Sequence, residues 1–74
     1  MEEVMNPEDA NLSIVISEAY GLKRVIRTVY FYVENNGECG DALRWVVDNY
    51  GYLISPNIRI DCYKVIYGRK VARG

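Results

Sequence analysis

The sequence predicts a small α+β domain: a three-stranded antiparallel sheet with one helix packed on one face, in the order strand, strand, helix, strand. Three observations carry this prediction. Residues 12–20 and 23–34 alternate apolar and polar on either side of Gly21, the pattern of a hairpin. Leu43, Val46, Val47 and Tyr50 recur at i, i+3, i+4 and i+7, the apolar stripe of an amphipathic helix. Residues 58–67 then alternate once more.

In chain order, residues 1–10 show no sustained periodicity and read as an acidic flexible leader, with residues 11–74 forming the domain. Within the leader, Asn6-Pro7-Glu8-Asp9 is a helix start of one turn at most: Asn as cap, Pro at the first position, acids next. In the first strand Leu12, Ile14 and Ile16 share a face, with Ser13 and Ser17 on the other. In the second, Val25, Val29, Phe31 and Val33 fall on one side, and Ile26, Thr28, Tyr30 and Tyr32 on the other.

Asn35-Asn36-Gly37-Glu38 ends that strand, and Asn35 with Glu38 has the spacing of a capping box, with Asn36 or Asp41 as alternative caps. Gly40 weakens the first turn by about 1 kcal/mol relative to Ala, which favours a helix start at Asp41. Gly51 is placed to end the helix as a C′ residue. After the Ser55-Pro56-Asn57 turn, Ile58, Ile60 and Cys62 point one way and Arg59, Asp61, Tyr63, Val65 and Tyr67 the other. Residues 69–74 form either a fourth, returning strand or a basic tail.

A right-handed crossover through the helix sets the third strand beside the first, giving strand order 2-1-3 with antiparallel neighbours. The inner face then collects Leu12, Ile14, Ile16, Val25, Val29, Phe31, Val33, Ile58, Ile60 and Cys62 against the helix stripe. One helix covers one face only. The other would display Val15, Ile26, Tyr30, Tyr32, Tyr63, Val65 and Tyr67, with Arg24 and Arg59 among them, more apolar surface than a monomer usually exposes.

Composition narrows the chemistry. Histidine is absent, which removes Ser-His and Cys-His nucleophile pairs and the commonest neutral-pH proton carrier. Two cysteines without histidine cannot close a four-ligand zinc site within one chain. Asp41 and Asp48, with Glu38 nearby, read as a solvated helix face and not as a cation site, and no glycine run completes a phosphate loop. Neither an enzyme nor a cofactor is expected. Cys39 and Cys62 read as buried free thiols, because nothing else in the chain argues for an oxidising compartment. Trp45, beside the stripe, reads as the edge of the core.

The chain lacks a run long enough to span a membrane, and its acidic start lacks the basic region of a secretory signal, so a cytoplasmic protein with no membrane partner is expected. Net charge is −1, but residues 1–22 carry five acids and no base, leaving all nine bases for the remainder. Seven tyrosines against one Phe and one Trp make a surface that is dry on contact and wet otherwise. The expectation is a non-enzymatic protein that binds a protein partner through the open sheet face, as an inhibitor or adaptor and as a homodimer. Its contact residues would be Arg24, Ile26, Tyr30, Tyr32, Arg59, Tyr63, Val65 and Tyr67. The alternative is a single-stranded nucleic-acid module stacking bases on the same tyrosines, although no ribonucleoprotein-type aromatic run is present. A compact chain of this composition is the type that phages and mobile elements encode to block a larger complex, an analogy of type alone.

Overall fold

The computed structural model describes residues 2–34 and 38–65. Four strands, β1 (Glu2–Val4), β2 (Leu12–Glu18), β3 (Val25–Tyr32) and β4 (Ile58–Lys64), form one antiparallel sheet in the order β1-β3-β2-β4, with one helix, α1 (Cys39–Tyr50). The alternating runs thus become β2, β3 and β4 in the expected arrangement. The fourth strand comes from the amino-terminal segment: Glu2, Glu3 and Val4 pair with Tyr32, Phe31 and Tyr30. Residues 69–74, where the sequence allows a returning strand, lie outside the described residues.

The connection from β1 to β2 is a single 3-10 turn, Pro7–Asp9, capped by the Asn6 side chain, which accepts from the Glu8 N–H at 3.0 Å. Asn11 then ties the strand ends together. Its amide donates to the Val33 carbonyl (2.6 Å) and its carbonyl accepts from the Val33 N–H (2.9 Å), while its backbone bonds Phe31 and Val65. A side chain here stands in for a further strand residue.

Leu12, Ile14, Ile16, Val29, Phe31, Val33, Ala42 and Val46 make the buried core between sheet and helix. Ala42 and Val46 are the fully buried helix positions, so the helix contact line runs Cys39, Ala42, Val46, Tyr50, with Leu43 and Trp45 flanking it. Val47, expected against the sheet, lies beside that line and is 53% exposed. Trp45 meets Phe31 edge-on at 5.2 Å and Tyr50 at 5.8 Å, closing the core edge as expected.

Several expectations are corrected. Val25 is 61% exposed, not inward. Ile16 pairs with Arg27 and Ser17 with Val25, so Ile26 is an extra residue in β3, a bulge that inverts the side-chain alternation before it. Arg27 therefore takes the helix side, its guanidinium 4.9 Å from the centre of the Tyr50 ring. Cys39 and Cys62 are joined as a disulfide across a Cα–Cα distance of 6.1 Å, not held as free thiols, because the helix start and β4 bring two inward-facing positions together. The helix begins at Cys39, with Glu38 at the N-cap making no side-chain bond; Asn35 and Asn36 lie outside the described residues. Gly51 keeps right-handed helical angles and opens a 3-10 turn, Gly51–Leu53, in place of the left-handed stop.

Candidate functional interface

Register places side chains across the face that α1 leaves open. On β2 this face carries Ser13, Val15 and Ser17. Ser13 lies between Tyr30 and Tyr63, Val15 between Thr28 and Asp61, and Ser17 between Val25 and Arg59. At the Ser13 and Ser17 rows a small residue on the central strand stands between larger ones on both neighbours, and the two serines are buried as the floor of a trough that Val15 divides, at 7% and 9% exposure. Its walls stand in solvent, Tyr63 at 54% and Val25 at 61%. Tyr32, exposed opposite Glu2, and Val65, bonded through its N–H to Asn11, extend the face by alternation at the β1 end.

Charge in the trough is balanced. Arg59 and Asp61, two residues apart on one strand face, form an ion pair at 2.9 Å. Glu2 stands beside Tyr32. Among the described residues, bare cationic surface is therefore scarce around the exposed rings.

Of the residues the sequence assigns to this face, the structure brings Tyr30, Tyr32, Tyr63, Val65 and Arg59 together. Tyr67 lies outside the described residues. Ile26 and Arg24 go elsewhere. They line an open depression of about 510 Å³ at the β2–β3 turn, with Tyr20, Leu22, Asn57 and Ile58. Arg24 is held there by Glu18: the Glu18 carboxylate accepts from the Arg24 backbone N–H at 3.0 Å, and its Oε2 lies 3.5 Å from the guanidinium. These bonds, the backbone one first, hold the Glu18 carboxyl below the usual carboxylate range.

Sequence reasoning misses Val25 on this face; it places Ser13, Ser17 and Thr28 there but does not count them among the contact residues. The serines carried a signal, since a half-buried central strand with Ser on its outer face leaves room between bulkier neighbours. The bulge that moves Val25 and Ile26 depends on pairing register and has no local marker. Asp41 and Asp48 are both exposed on α1, and among the described residues no three acidic or cysteine side chains gather as metal ligands. No helix among the described residues is long and apolar enough to cross a membrane. Comparison with protein-family models, with curated proteins and with solved structures finds no match to this chain.

Proposed function

We propose that this chain is a non-enzymatic interaction protein that grips a protein partner in the serine-floored trough between Tyr30 and Tyr63. The observation that supports the reading is the pairing of Tyr30, Ser13 and Tyr63 in one row, with an exposed ring beside a buried small residue. Such a row accepts an inserted side chain and gives it two aromatic walls. Tyr loses little conformational entropy on contact and supplies both apolar area and a hydroxyl. A protein partner is favoured over single-stranded nucleic acid because Arg59 is engaged by Asp61 and Glu2 borders Tyr32, so a phosphate chain would run past carboxylates. A small binder of this form suits the role of inhibitor or adaptor, the type carried by phages and mobile elements. The Cys39–Cys62 disulfide favours an oxidising compartment over the cytoplasmic setting that the sequence suggests.

The test is site-directed photocrosslinking in the native host. A photoreactive phenylalanine analogue replacing Tyr63 is expected to capture a protein in a nuclease-resistant adduct, and Tyr30→Ala in the same chain to abolish that capture. The same analogue replacing Val47, on the helix side, serves as control. Capture from the helix side alone, or an adduct that nuclease removes, would overturn the assignment.

A further inference from the structure

The outer edge of β4 is a seven-residue strand edge that no described residue covers. We propose that it pairs with β4 of a second copy of this chain, antiparallel and centred on Ile60, so that the four-stranded sheet is doubled into one continuous sheet. The opposite edge is less suited. β1 is three residues long and begins with two glutamates, both devices that discourage edge pairing.

Backbone direction along β4 follows from its bonds to β2. The Val65 N–H donates to the Asn11 carbonyl at 3.0 Å, and the Asn57 carbonyl accepts from the Ala19 N–H at 2.8 Å. Alternation then turns the backbone groups of Arg59, Asp61 and Tyr63 toward β2 and those of Ile58, Ile60 and Cys62 outward. The Ile58 N–H is taken by Ser55 at 3.0 Å. Among the described residues nothing takes the Ile60 and Cys62 N–H groups or the Ile58 and Ile60 carbonyls, which leaves them for a partner strand.

Charge selects the register. Centring the pair on Arg59 sets that guanidinium against its own copy, and centring on Asp61 does the same for the carboxylate. Centring on Ile60 places Arg59 opposite Asp61 of the second copy, and Asp61 opposite its Arg59. Both fall at positions not hydrogen-bonded across the pair, where side chains approach closest. In that register Ile60 donates to and accepts from its own copy, and the Cys62 N–H donates to the Ile58 carbonyl of the second copy. On the helix side Ile60 meets Ile60, and Ile58 meets Cys62, all half-buried residues whose remaining apolar surface the contact would cover. The two troughs would lie on the same face of the doubled sheet, both open. This contact stands independently of what the troughs bind.

A charge-exchange experiment with the full chain tests it. Light scattering over a concentration series at low salt should give twice the chain mass for the unaltered protein. Arg59→Asp alone, or Asp61→Arg alone, sets like charges across the two-fold axis and should halve that mass. Mixing the two single variants in equal amounts should restore it, because each then meets the opposite charge, a rescue that a general loss of stability would not produce. Should a single variant fail to fold, amide exchange of the unaltered protein decides: slowing at Ile60 and Cys62 that grows with concentration supports the contact. A chain mass that stays single throughout, a dimer that survives both single variants, mixing without rescue, or fast exchange at Ile60 and Cys62 at every concentration would overturn it.

Discussion

Asn11 shows how one polar side chain can finish a sheet. Just ahead of β2, it extends the ladder beyond Phe31 by bonding both backbone groups of Val33, a residue 6% exposed. Without that amide, a buried N–H and C=O would have to find water at the edge of the core, and an unsatisfied buried group costs about 1–3 kcal/mol. Asn11→Ala is expected to lower stability by about that amount in urea unfolding. Asn11→Asp keeps the acceptor for the Val33 N–H but loses the donor, and should fall between the two. Equal stability for all three chains would show that Val33 is satisfied by solvent.

At the scale of elements, identity and order are legible in the sequence because they depend on period, which local residues set. Leu12, Ile14 and Ile16 are all buried, and the helix runs from Cys39 to Tyr50 with its stripe toward the sheet. What is not legible is what register decides. The bulge at Ile26 moves Val25 outward although its spacing from Val29 matches an inward face. β1 is hidden for a related reason: three residues carry too few positions to show a period, and pairing with β3 alone defines them. Within the helix stripe Leu43, Val46 and Tyr50 meet the core and Val47 does not; Ala42 takes its place, since alanine carries little hydrophobic weight in a pattern yet allows the close approach that centres the contact there. The trough inherits both outcomes. Its tyrosines follow from alternation, whereas Val25 and the displacement of Ile26 and Arg24 do not. The bulge has a measurable consequence. Val25→Thr should change stability by less than about 0.5 kcal/mol, as exposed substitutions do. Val29→Thr, at 2% exposure, buries a hydroxyl and should cost roughly 1–3 kcal/mol. If thermal unfolding ranks the two variants the other way, the inversion of faces at Ile26 is wrong.

The whole molecule is too small to rest on its core alone. The largest fully buried side chains are Phe31, Leu12, Ile14, Ile16, Val29 and Val46, and a chain near this size is worth only about 4–11 kcal/mol of net stability. Helix α1 adds two fully buried residues, Ala42 and Val46, and its N-cap makes no side-chain bond. The Cys39–Cys62 disulfide pins that same end of the helix to β4, across a sequence separation of 23 residues. Closing a loop of that length in the unfolded chain is worth roughly 3 kcal/mol in the chain-entropy account, a large share of the total. Reduction by a dithiol, or the paired change of Cys39→Ala and Cys62→Ala, should therefore lower Tm by more than about 10 °C, since each kcal/mol moves a domain of this size by roughly 4–8 °C. Loss of the cross-link is common to both experiments, and the alanine chain forfeits in addition the packing of two sulfur atoms. An unchanged Tm under reductant would mean that the sulfurs serve only as packing. A fall confined to the alanine chain would mean that their volume matters and the bond does not. A fall in both ties the helix to β4 through the bond itself, and with it the compartment in which this small sheet stays folded.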